Sequence, residues 1–182
     1  MAKVKGPLMS MEASGAYGGT LVFGRRLGAN VVRQLVTPAN PRSADQQVAR
    51  NRVRVFGALQ SFFNNTALVA DGQTQTDKER LAAITPAGQR WNSYLQQVGI
   101  GSGGTTYTAA QTAWDALQAA EKTAWDSAAV ALSPAITQVA QKDAGGVDAT
   151  PLTAGNVWFI GQYALSRVGL AAVPAATPPT YA

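Results

Sequence analysis

The chain has 182 residues, 46% of them hydrophobic, and contains no histidine and no cysteine, which removes the commonest general base, the commonest nucleophile and most transition-metal ligands. Its ten carboxylates are scattered without acid–base or metal-ligand spacing, so the composition speaks against an enzyme and predicts no cofactor and no metal. The net charge of +5 arises in the first third: residues 1–54 hold nine Lys and Arg against Glu12 and Asp45, a balance of +7.

The length suits one domain with arms and is enough to bury a core. Charged residues make up 14% of the chain, against about a quarter in ordinary globular proteins. A surface of Ala, Gly, Gln, Ser and Thr fits a protein covered by neighbours, and fits equally a soluble Ala-rich helical domain. Residues Met1 to Met11 include two lysines but no continuous apolar stretch, so they do not read as a secretory signal. No run approaches the ~18 apolar residues that span a bilayer, and no membrane role is expected.

Residues 1–18 lack periodicity and read as an arm. Thr20-Leu-Val-Phe23 and Val31 to Val36 are β-prone runs around a Gly-containing connection, the pattern of a β-hairpin at 19–36. Such a hairpin is marginal alone and needs helices or another subunit to pack on. Pro38 and Pro41 stop the second run, and Ser43 is suited to cap the next helix. From Ala44 to Phe63, residues Ala44, Val48, Val55, Leu59, Phe62 and Phe63 follow a helical period. Arg50, Asn51, Arg52 and Arg54 lie between them as a basic polar face.

Thr76-x-x-Glu79 is a capping box, and Thr85-Pro86 signals a helix restart before Trp91, Tyr94, Leu95 and Val98. Gly99 to Gly104 reads as a flexible hinge. Thr108-x-x-Gln111 predicts a second box opening a helical stretch to about Leu132. An unbroken helix there would put Trp114 and Trp125 on one face; the other reading breaks it at Gln118. Ser133-Pro134 predicts a short helix to about Gln141, and Asp143 to Pro151 a loop. Thr153 leads a last helix with Val157, Trp158, Ile160, Leu165 and Val168, ended by Gly169. Pro174 to Tyr181 is Pro/Thr-rich and extended. Glu79–Trp91 and Thr112–Trp125 resemble each other, which suits either a duplicated helical hairpin or coincidence in Ala-rich sequence.

Neither Gly-rich loop ends in the Gly-Lys-Ser/Thr of a phosphate cradle. Asp143 and Asp148 flank Gly145-Gly146 without the ligand series of a calcium loop. The sharpest electrostatic feature is a candidate interaction face of Arg25, Arg26, Arg33, Arg42, Arg50, Arg52 and Arg54. It suits an acidic protein neighbour, or phosphates of nucleic acid, although Phe56, Phe62 and Phe63 read as core rather than stacking platforms.

The run Gly19-Thr-Leu-Val-Phe, Val31-Val-Arg33 and Val36-Thr-Pro38-Ala-Asn40-Pro41-Arg-Ser-Ala-Asp-Gln46 resembles a pattern in phage- and prophage-encoded structural proteins. Trp114-Asp-Ala-Leu117-Gln-Ala-Ala-Glu121-Lys-Thr-Ala-Trp125 is similar to their second half, with Gln118 in place of Ser or Thr. Gly155-Asn156 and Trp158-Phe159 are similar to their last helix, so the resemblance spans residues 15–168. It implies a virion component of the capsid-decoration, neck or tail-associated kind, made in the host cytoplasm and partnered by virion proteins and copies of itself. The alternative is a basic accessory protein contacting packaged DNA. The expected fold is mainly α: an N-terminal arm at 1–18, a helical domain at 19–169 with its β-hairpin, and a C-terminal arm at 170–182.

Overall fold

The computed structural model describes residues 15–17, 21–26, 29–34, 43–65, 69, 72–132, 138–143 and 145–181. The chain divides into two compact units, Met1–Pro41 and Arg42–Ala182. In the first, strands β1 (Gly15–Tyr17), β2 (Leu21–Arg26) and β3 (Ala29–Gln34) form an antiparallel sheet with β2 in the centre. Leu21 pairs with Gln34 and Phe23 with Val32, while Gly15 of β1 pairs with Phe23 on the other side. Strand β1 falls within the segment expected to be an arm. Residues 1–14 of that arm, and the Asn40-Pro41-Arg42 turn, lie outside the described residues.

The second unit is mainly helical. Its elements are α1 (Ala44–Asn65), α2 (Asp77–Ile84), α3 (Trp91–Ile100), α4 (Thr105–Asp115), α5 (Ala119–Leu132), β4 (Val139–Lys142), β5 (Asp148–Leu152) and α6 (Ala154–Ser166). Helix α6 is the centre: every residue from Ala154 to Gln162 is buried, and α1, α3, α4 and α5 all pack on it. Such burial requires neighbours on every face, and the polar Asn156 and Gln162 within it find hydrogen-bond partners in Gln111 and Tyr181. Aromatic edges fill the space around it. Trp125 meets Trp158 at 5.1 Å and Phe159 at 5.0 Å between ring centroids, and Trp114 meets Phe159 at 5.5 Å. Helix α1 contributes Val55, Phe56, Leu59, Phe62 and Phe63, whereas Ala44 and Val48 at its start are exposed. At Gly155 α6 crosses α5 closely: a Cβ there would lie 2.6 Å from the Asp126 backbone nitrogen, so only glycine fits.

Several helix boundaries follow the sequence. Ser43 Oγ accepts from Gln46 N at 3.4 Å at the start of α1. Thr76 and Glu79 form the reciprocal capping box of α2, and Thr153 caps α6 by accepting from Asn156 N. The end of α6 closes as a Schellman motif. Leu170 N donates to Leu165 O at 3.0 Å and Gly169 N to Ser166 O at 3.1 Å, with Gly169 at φ 72°.

Other expectations are corrected. Thr85-Pro86 starts no helix: Thr85 terminates α2 with its hydroxyl on Leu81 O, and α3 begins at Trp91. Thr108 and Gln111 form no box, because α4 already begins at Thr105; Thr108 Oγ1 donates back to Gly104 O instead. The Trp114–Trp125 stretch breaks at Gln118, whose N–H donates to Glu121 Oε2 at 2.7 Å. Gly99 sits inside α3 with Phe56 packed on it, and Gly101, Gly103 and Gly104 take positive φ in the turn between α3 and α4. Residues 139–142 are strand rather than helix, and 148–152 strand rather than loop. Ser133 and Pro134 lie outside the described residues.

The C-terminal arm is the main revision. It carries three prolines and lies on its own helical body, where Leu170, Ala171 and Tyr181 pack against the core.

Candidate functional site: a tyrosine socket beneath a C-terminal strap

Of the seven arginines, only Arg50, Arg52 and Arg54 have described side chains. Arg25 and Arg26 stand on β2 and Arg33 on β3, in the separate N-terminal unit, and their side chains are outside the description, as is Arg42. On α1, Arg50 and Arg54 are one turn apart and exposed, with Arg54 Nη1 donating to Asn51 Oδ1 at 3.0 Å. Arg52 falls on the opposite side of the helix and is turned into the fold. Its Nη1 donates to Gly103 O at 3.3 Å, and its guanidinium lies over the Tyr107 ring, 5.7 Å from the centroid. Burial pushes the Tyr107 phenol up, against the opposing pull of Gln111 and Arg52. Arg52 is thus a brace between α1 and the start of α4.

A more organised cluster lies where α2, α5 and α6 meet the C-terminal segment. The capping box fixes the first turn of α2 and thereby aims Asp77 inward, where it is 1% exposed. Arg80, one turn later, pairs with it through Nη1 at 3.2 Å. Gln162 arrives from α6, 3% exposed, and Tyr181 from the C-terminal segment. The Tyr181 hydroxyl donates to Asp77 Oδ2 at 2.8 Å and accepts from Gln162 Nε2 at 2.7 Å. Its ring lies 5.8 Å from that of Trp158. Every strong hydrogen-bonding position of the phenol is used.

The intervening segment is a strap tied by side chains of the body. Arg80 Nη2 donates to Leu170 O at 2.8 Å, and Trp125 Nε1 to Ala175 O at 3.0 Å. Between these ties Val173 is 66% exposed, and a cavity of about 380 Å³ opens under the strap, lined by Gln73, Arg80, Trp125 and Pro174 among others.

Electrostatics match the geometry. Burial raises the Asp77 carboxyl above its ordinary value, opposed by the Tyr181 hydroxyl, the Arg80 charge and Gln162. Burial also drives the Tyr181 phenol upward, and the adjacent Asp77 carboxylate adds to it. The phenol therefore keeps its proton and donates it to a carboxylate that needs a donor. Chemically the cluster is a receptor for one neutral phenol hydroxyl: an acceptor, a donor and an aromatic wall.

Sequence reasoning missed Asp77, Gln162 and Tyr181. One signal was available, a lone aromatic at the end of a Pro-rich segment, because a tyrosine there has no local partner to bury against. Among the described residues no three His, Cys, Asp or Glu side chains cluster as a metal site would require, and no helix is long and apolar enough to cross a membrane. Comparison with protein families, curated proteins and solved structures finds no match for this chain.

Proposed function

We propose that this chain is a non-enzymatic structural component of a phage virion, a capsid-decoration, neck or tail-associated protein that acts through contacts with copies of itself and other virion proteins. The observation that carries the reading is the small N-terminal β unit. Met1–Pro41 holds a sheet of strands three, six and six residues long, with no cysteine for a disulfide. Units near this size usually need a staple or a partner to be stable. Among the described residues β1 and β3 are the edge strands of this sheet, and a sheet edge can recruit another chain by strand addition. The resemblance of residues 15–168 to phage structural proteins, and the low charge of the whole surface, support the same conclusion.

The basic balance of residues 1–54 favours a second reading, an accessory protein on packaged DNA. Light scattering and negative-stain electron microscopy of the full chain over a concentration series test the first. Rings, tubes or sheets of defined symmetry are expected, and a chain that stays monomeric at its solubility limit counts against it. Duplex DNA affinity that falls steeply with salt would transfer the assignment to the second.

A further inference from the structure

We propose that residues 170–181 are an exchangeable strap: the socket of Asp77, Gln162 and Trp158 takes Tyr181 of its own chain in the monomer and Tyr181 of a second copy in the assembled state. The inference deepens the assembly reading by naming the contact, and rests on it for the identity of the partner.

Three features separate the strap from the body it lies on. The Schellman closure at Gly169 and Leu170 completes α6 without help from anything that follows. The body then holds the strap at discrete points, Arg80 on Leu170, Trp125 on Ala175, and the socket on Tyr181. Between those points Pro174, Pro178 and Pro179 restrict the backbone of the free segment, and a cavity of about 380 Å³ lies between strap and body.

The socket, by contrast, cannot stand empty without penalty. With Tyr181 seated Asp77 and Gln162 are at most 3% exposed, and vacating the socket exchanges two hydrogen bonds and the ring contact with Trp158 for water. A phenol at the end of the same extended segment restores both bonds and the ring contact with Trp158 together, and a second copy carries one at the same position of the same strap. Exchange keeps the same bonds on both sides of the equilibrium, so concentration decides it: the tethered strap competes at its effective concentration, and crowding of copies in an assembly overcomes it.

The test uses the full chain and a fluorescent synthetic peptide of residues 170–181. Tyr181→Ala should bind the peptide with at least about tenfold higher affinity than the wild-type chain, whose socket is already filled in cis. A peptide with Phe in place of its tyrosine should bind Tyr181→Ala more weakly, because the ring enters without the hydroxyl. Circular dichroism checks that Tyr181→Ala is folded, and Tyr181→Phe offers a milder vacated socket if it is not. Equal binding to wild type and variants, or no binding to either variant, overturns the strap.

A mixing experiment then addresses the assembled state. Tyr181→Ala and Asp77→Ala chains, each defective alone, should form a heterodimer when combined, since one supplies an intact socket and the other an intact strap. Oligomers of wild type that both substitutions leave unchanged would overturn the exchange and spare the assembly reading. Strap-exchanged dimers that grow no further would support the exchange and count against the virion reading.

Discussion

The aromatic core and the tyrosine socket share Trp158 but are built on opposite principles. Around Trp125, Trp158 and Phe159 stability comes from area: large rings, edge to face, removed from water with no partner to be chosen. In the socket little is gained from area, and what matters is that a carboxylate, an amide and a phenol each find the one group that satisfies them. The first arrangement tolerates variation in detail and suffers when atoms are removed. The second is modest in net stabilisation, yet sensitive to the loss of a single proton or oxygen. A protein that must hold its body rigid while letting one segment change partners has use for both.

The contrast is testable from its largest expected effect downward. Trp158→Ala should remove about 3–5 kcal/mol, the range for aromatic truncation in a core, and Phe62→Ala a similar amount. Urea denaturation measures both, and an unchanged midpoint for either would show that α6 is not the centre of the body. Asp77→Ala should cost about 1–3 kcal/mol, since it strands Tyr181 and Gln162 and leaves Arg80 without its carboxylate.

The pH profile distinguishes the two regions more sharply than stability alone. Asp77 has a raised native pKa, so the folded state holds its proton where the unfolded state has lost it. Stability contributed by that protonated carboxyl is fully present below the unfolded value and is lost as pH climbs through the native one. Asp77→Asn should flatten this acid-side segment of the stability curve. Tyr181 acts with the same sign in alkali: its native phenol resists ionisation, so above about pH 10 stability falls by up to about 1.4 kcal/mol per pH unit. Tyr181→Phe should remove its share of that slope and leave the share of Tyr107, while a core substitution such as Phe62→Ala should leave both in place. The smallest effect belongs to Thr76→Ala, about 1 kcal/mol from the lost cap. If that substitution also weakens binding of the strap peptide, the box positions Asp77 as well as closing the helix.

What could be read from the sequence divides along the same line. Val55, Leu59, Phe62 and Phe63 announce themselves by spacing, and the caps at Thr76 and Thr153 by local chemistry, because the physics involved acts within a few residues. The socket has no such period. Tyr181 reaches Asp77 across 104 positions, and nothing around Asp77 distinguishes an inward carboxylate from the solvated acid common in a first helical turn. Strands β4 and β5 failed for a related reason. Val139-Ala-Gln-Lys142 is acceptable as helix, and becomes strand by pairing with β5 and with the side chain of Asn51, 91 positions away. Arg52 shows the converse, a charged residue whose neighbours in sequence are exposed but whose own guanidinium is held by Gly103 and Tyr107.

The Asn51 contact carries a consequence for how such a chain avoids sticking to itself in the wrong way. Its carboxamide donates to Lys142 O at 2.8 Å and accepts from Lys142 N at 3.1 Å, the same two bonds an incoming strand would make. A two-stranded ribbon on the surface of a crowded protein is an open invitation to cross-β stacking, and a false strand one residue long withdraws it at Lys142. Replacing Asn51 would therefore threaten fidelity before stability: the helices would remain, and the hazard would be fibrils seeded from β4.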